Sequence, residues 1–195
     1  MNKKFLYGAL AVLAVVAIYA GVTYNGFVEK KIAVDKSWAQ VENQYQRRFN
    51  LIPNLVEVVK FYAKHENEIF ENVAKARTNA SQVTVNIGNA TDDQLAAFLN
   101  AQDQLGASLA KMTIVKESYP DLKANKNFEG LMVQLNGTEN RIVVARRNYN
   151  KIVADYNADV RTFPSNVVAN LFGFNKKPMY EADGGAENAV KVNLD

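Results

Sequence analysis

The order of apolar and polar positions divides this chain into one unbroken apolar run and a longer body in which apolar residues recur at helical spacing. From Phe5 to Tyr24 no charged residue occurs. A helix of that length rises about 30 Å, the thickness of a bilayer's hydrocarbon layer. Beyond it, Val34, Trp38, Val41 and Tyr45 step by four and three, as do Ile52, Leu55, Val59 and Tyr62, then Ile69, Val73 and Ala76. Between the first two groups, Asn50 is placed to cap a new helix with Pro53 in its first turn, which predicts a break or sharp kink there. Val83–Ile87 is the only β-leaning stretch; Gly88 and the polar residues around it favour a loop.

Thr91 followed by Gln94 is a capping-box pattern. It opens a helix carrying Leu95, Phe98, Leu105, Leu109 and Met112, which Pro120 is expected to end. The next helix is the most regular. Phe128, Leu135, Ile142, Tyr149, Tyr156 and Phe163 keep a seven-residue repeat, as in a helix packed along a partner at a shallow, coiled-coil-like angle. From about Asn125 to Thr162 it would reach nearly 60 Å. Phe163, Val167, Leu171 and Phe174 then share one helical side, which suits packing back on the body; an interfacial membrane helix is the alternative. Residues after Met179 are rich in Gly, Glu and Asn and are expected to be loose.

Amphipathic helices joined by short turns bury their stripes only against one another. The expected fold is therefore all-α: an antiparallel bundle of three to four long helices preceded by one transmembrane helix. The expected organisation is a short N-terminal tail at 1–4, the transmembrane anchor at 5–24, the helical bundle at 25–178 and a flexible C-terminal tail at 179–195. A cleaved signal peptide fits the apolar run less well, because the best small-x-small site, Val15-Val16-Ala17, lies inside the run. Lys3 and Lys4 before the run favour an extracytoplasmic body, although Lys30, Lys31 and Lys36 nearly balance them.

Composition narrows the chemistry. The chain has 195 residues, 23 Lys and Arg against 20 Asp and Glu, no cysteine and one histidine. The charges alternate along the sequence, so no basic stripe for nucleic acid is expected. The missing cysteines exclude disulfides, thiolate metal sites and a lipoprotein anchor. His65-Glu66 begins like a zinc-protease motif, but Ile69 stands where the second histidine belongs. No nucleophile, phosphate or dinucleotide motif occurs, and neither a cofactor nor a metal is expected.

Two basic pairs, Arg47-Arg48 and Arg146-Arg147, could gather on an anion if their helices meet, since guanidinium grips phosphate or carboxylate bidentately. Pairing with Glu42, Glu139 or Asp155 is the plainer expectation. Asn50, Asn54, Asn148, Asn150 and Asn157 lie close to apolar faces, where hydrogen-bonded amides fix register.

Four separated segments carry a resemblance. RRFNLIPNLVEVVKFYAKHE at 47–66, SYPDLKAN at 118–125, TENRIVVARRNYNKIVADYN at 138–157 and FPSNVVANLFGF at 163–174 resemble the LemA family. Tyr24-Asn25 after the apolar run and Asp35-Lys36-Ser37-Trp38 are similar to that family's opening. The likeness covers roughly residues 1–180 and is least at 79–90 and after Met179. It implies a bacterial single-pass membrane protein with an all-helical body, and it supplies no enzymatic activity to carry over.

The resulting expectation is a non-enzymatic, membrane-anchored scaffold or adaptor, held in the bilayer through residues 5–24 and engaging a protein partner or another copy of itself. Its candidate interaction surface comprises Arg47, Arg48, Tyr62, Lys64, His65, Arg146, Arg147 and Tyr149. A small-ligand or anion-binding sensor of the cell envelope is the alternative.

Overall fold

The structure, a computed structural model, describes residues 3–180. It is all-α, and no strand occurs among the described residues. Among the described residues six helices follow in order: α1 Lys3–Tyr62, α2 Asn67–Gln82, α3 Asp92–Ile114, α4 Pro120–Lys123, α5 Lys126–Arg161 and α6 Ser165–Phe172, with a 3-10 turn at Val115–Ser118 between α3 and α4. Residues 1–2 and most of the expected loose tail, 181–195, lie outside the described residues.

The longest helices form two antiparallel pairs, α1 with α5 and α2 with α3. Lys30 meets Asp159, Arg48 meets Glu139 and Tyr62 meets Asn125, so the partner number falls along α5 as it rises along α1. The heptad stripe of α5 is the buried one: Phe128, Leu135, Ile142, Tyr149 and Tyr156 are all nearly inaccessible. The second pair lies across the first through large side chains, with Trp38 and Tyr45 of α1 both packed on Phe98 of α3. The result is a bundle of four helices in two layers.

Two apolar cores lie end to end along it. The proximal core joins Phe27, Val34, Trp38, Val41 and Tyr45 to Ile142, Tyr149, Val153 and Tyr156, and includes Val168 and Ala169 of α6. The distal core joins Ile52, Leu55, Val59 and Ala63 to Phe70, Val73, Leu105, Leu109, Met112, Phe128 and Leu135. Between them sit the buried polar side chains of Arg48, Gln102 and Thr138.

Local sequence explains the helix ends. The Thr91 capping box is complete: Gln94 N–H donates to the Thr91 hydroxyl at 3.2 Å, and Thr91 N–H donates to Gln94 Oε1 at 3.0 Å. Asn125 caps α5 by accepting from Phe128 N–H at 2.9 Å. Gly173 ends α6 with φ +73°, a left-handed conformation that a Cβ disfavours. The loop after α2 is a loop as expected, but Val85 and Ile87 plunge into the proximal core.

Two expectations change. Of the break or sharp kink expected at Asn50–Pro53, the break is absent, because α1 runs through Pro53 to Tyr62. Pro53 sits on the exposed face while Ile52 and Leu55 beside it are buried, so packing outweighs the one missing N–H bond. The chain turns instead at Ala63–Glu66, where the stripe of Val59 and Ala63 would continue onto charged Glu66. That carboxylate accepts from the Tyr119 hydroxyl at 3.2 Å. Likewise Pro120 does not terminate α3, which already ends at Ile114, but occupies the first turn of α4.

Replacing Pro53 with alanine restores an N–H to a helix interior whose geometry is already helical. The variant is expected to be more stable by about 1–3 kcal/mol, read as a higher denaturation midpoint in detergent with an unchanged helical circular dichroism signal.

Candidate interaction surfaces and the buried polar belt

The eight residues expected on one surface are dispersed. Arg47 and Arg147 are exposed on α1 and α5, and Lys64 and His65 are exposed in the turn between α1 and α2. Tyr62 is half-buried, and its hydroxyl accepts from Asn125 Nδ2 at 2.9 Å. Arg146 is half-buried with its guanidinium 4.6 Å from the centre of the Tyr180 ring. Arg48 and Tyr149 are buried, at 3 % and 0 % exposure, and so are removed from the surface. The two terminal nitrogens of Arg48 and the Tyr149 hydroxyl bond inside the bundle rather than reaching its surface, while Arg48 Nε is buried without a partner.

Nor do the two arginine pairs gather. Arg48 Nη1 donates to both Glu139 oxygens, at 3.2 and 3.3 Å, and Nη2 donates to the Gln102 backbone carbonyl at 3.1 Å and to Gln102 Oε1. Its guanidinium also lies 5.0 Å from the Tyr45 ring centre. Gln102 Nε2 in turn donates to the Ala80 carbonyl at 3.4 Å. One buried charge thereby links α1, α3, α5 and α2. Arg146 faces the tail instead. Among the described residues no group of three or more His, Asp or Glu could hold a metal. A partly open groove of about 310 Å³ lies beside the belt, bordered by Tyr45, Arg77, Ser81, Phe98 and Gln102.

The asparagines divide similarly. Asn50, Asn54 and Asn148 are exposed, and Asn50 accepts from Gln46 at 3.0 Å. Asn150 and Asn157 grip the tail. Asn157 donates to the Lys177 carbonyl at 2.8 Å and accepts from Lys177 N–H at 2.7 Å. Asn150 does the same to Tyr180, at 2.8 Å in both directions. A side-chain amide offers one donor face and one acceptor, as a peptide group does, so each asparagine acts as a stand-in strand neighbour. The spacings match: seven residues of helix rise about 10.5 Å, and three residues of extended chain cover about 10 Å. The Tyr149 hydroxyl donates to the Pro178 carbonyl at 2.8 Å between the two grips.

The docked tail is therefore part of the fold through Tyr180, two residues into the segment 179–195 expected to be flexible. Tyr180 stacks on Trp38 at 6.1 Å and packs against Tyr149. The buried Lys177 ammonium donates to the Gly88 carbonyl, and Lys176 pairs with Asp92 at 2.9 Å, so the tail also ties down the loop before α3. Burial raises the pKa of the Tyr45, Tyr149, Tyr156 and Tyr180 hydroxyls above the ordinary tyrosine value. Burial, with nearby Lys31, pushes Lys177 down. The sequence signal for the tail was present in Asn150 and Asn157, seven apart beside Tyr149 and Tyr156, but it has no meaning until the tail is seen against it.

The distal end presents a different surface. Phe61 and Ile114 are 69 % and 67 % exposed at the ends of α1 and α3, and Lys64 lies 6.0 Å from the Phe61 ring centre beside exposed His65. At the opposite end, α1 is the one helix among the described residues that is long and apolar enough to cross a membrane, and its apolar stretch is unburied.

This architecture, an exposed apolar helix leading into an all-helical bundle, defines a membrane-associated helical protein. The chain belongs to the LemA family, whose model matches residues 37–194 and so extends through the tail. It is similar to magnetosome protein MamQ 2 of Paramagnetospirillum magneticum, with 27% identity over 93% of this chain and 74% of that protein. It is also similar to magnetosome protein MamQ of Magnetospirillum gryphiswaldense, at 26% identity over 86% of this chain and 69% of that one. Protein LemA of Metamycoplasma hominis is 21% identical over 92% of this chain and 80% of its own length.

Two measurements test the internal contacts. Glu139→Ala leaves the Arg48 guanidinium buried without a counter-charge and is expected to cost about 3 kcal/mol. The double variant Arg48→Met with Glu139→Leu should recover part of that loss, because it removes both charges; equal losses in a denaturation cycle would refute the account. Asn157→Ala strips the partners from both backbone polar groups of Lys177 and is expected to cost about 1–3 kcal/mol. Faster hydrogen exchange at the Lys177 and Tyr180 amides should accompany it, and undiminished protection would mean that the tail is held by other contacts.

Proposed function

We propose that this protein is a non-enzymatic, membrane-anchored adaptor whose bundle holds a binding surface at a fixed distance from the bilayer. Residues 5–24 form the permanent span, the body stands on the extracytoplasmic side, and the far end of the bundle engages a protein partner. The observation that carries this reading is the continuity of α1 from Lys3 to Tyr62. One helix enters the bilayer, supplies a face of both cores and ends at Tyr62 beside the exposed Phe61, about 57 Å beyond Tyr24 at helical rise. Tethering raises the effective concentration of the bundle for anything else held at that membrane, so modest contacts suffice.

The distal group of Phe61, Ile114, Lys64 and His65 is the surface favoured here. It combines exposed aromatic and aliphatic side chains with charge, as interface centres commonly do. The alternative, an anion-binding sensor, draws support from the groove beside Tyr45 and Arg77. A melting temperature raised by millimolar phosphate or carboxylates would favour it.

The test is site-specific photocross-linking in intact cells with the full chain, comparing a probe at Lys64 with one at Arg147. The Lys64 probe is expected to capture a defined partner. Phe61→Ala with Ile114→Ala should cut that capture about tenfold or more without lowering the melting temperature. Undiminished capture by the double variant rules out the distal surface.

A further inference from the structure

The proximal end carries a cluster of exposed apolar side chains that neither core absorbs. Helix α6 buries Val168 and Ala169 against the bundle. Its other side leaves Leu171 75 % exposed, with Val167, Phe172 and the preceding Phe163 also turned outward. No charged residue occurs from Thr162 to Asn175. Contiguous exposed apolar surface on a folded domain marks a place that something covers.

The contacts of α6 fix its height on α1. The Tyr24 ring meets Phe172 edge-on at 4.9 Å and Phe174 at 5.6 Å, and Phe174 stacks on Phe27 at 4.9 Å. Ala20, inside the apolar run, also packs against the proximal core. Helix α6 therefore lies beside the last turn of the run that would span the bilayer. With the run in a bilayer, the surroundings at that height would be headgroups and the ester-linked starts of the acyl chains rather than bulk water. Lys31 and Arg161 stand exposed at the same end of the bundle, where basic side chains suit anionic headgroups.

We propose that α6 and the turn before it are a second membrane contact: Phe163, Val167, Leu171 and Phe172 sink into the headgroup–acyl boundary of the membrane that α1 enters. The inference rests on the anchor reading above. Apolar faces of this kind insert about 5–10 Å. The inner side of α6 remains on the bundle, so the helix serves as a foot beside the span.

The absence of cysteine from the chain allows one nitroxide label per full-length variant in phosphatidylcholine–phosphatidylglycerol vesicles. The sites are Leu171→Cys and Val167→Cys on α6, Leu13→Cys within the span and Lys64→Cys at the far end. Collision with oxygen, which concentrates in lipid, is compared with collision with a water-soluble nickel chelate. Oxygen should dominate at Leu13, Leu171 and Val167, with the two α6 sites shallower than Leu13, and nickel should dominate at Lys64. Nickel dominance at both α6 sites with oxygen dominance at Leu13 overturns the foot and leaves the anchor standing. Exclusion of both reagents from α6, with spin–spin broadening, overturns it in favour of a second copy. Nickel dominance at Leu13 overturns the anchor and the foot together.

Discussion

Arg48 is the constraint on which the bundle's alignment depends. A guanidinium taken out of water costs several kcal/mol unless its donors are paired, and along this molecule its hydrogen-bond partners lie at one place. Glu139, the Gln102 side chain and the Gln102 carbonyl converge there, with apolar cores on either side. Sliding α1 by one turn against α5 would aim the charge at Leu135 or Ile142 instead. Heptad stripes alone tolerate such slippage, since every turn of an apolar seam resembles the next. The polar belt supplies the missing registration, and through Gln102 and Ala80 it carries the same alignment to the second helix pair.

The tail completes what the belt aligns. Without residues 174–180, Trp38, Tyr149 and the upper stripe of α5 would face solvent on one side. The clasp by Asn150 and Asn157 solves a particular difficulty: an extended segment buried against a helix has peptide groups that the helix backbone cannot satisfy, because its own are already used. Side-chain amides at heptad spacing replace the absent strand. The tail then reaches across to Gly88 and Asp92, so α5, the loop and the start of α3 are held by a single run of chain.

Much of this was legible in the residues. Helix α5 falls between Asn125 and Thr162 as its heptad predicts, and α3 opens on the Thr91 box, because a regular stripe and a side-chain cap are local signals. Pro53 misled because propensity is local while the burial of Ile52 and Leu55 is not. The true turn at Ala63–Glu66 has neither glycine nor proline to mark it. The surface residues fared worst. Arg48 and Arg47 are neighbours in sequence, yet one is buried and the other exposed, a distinction set by the rotation of α1 against two other helices. The clasp was the least readable feature, since its two halves are separated by a whole helix and a turn.

The continuity of α1 has a mechanical side. With one helix running unbroken from the apolar run to Tyr62, the orientation of the run in the proposed bilayer would also set the orientation of the tip. Membrane helices commonly tilt by about 20°, and over an arm of about 57 Å such a tilt swings the far end sideways by roughly 20 Å. If the run spans the bilayer as proposed, bilayer thickness, which governs tilt, would be converted into lateral position at the end of the bundle, and the molecule would behave as a pointer pivoting in the lipid.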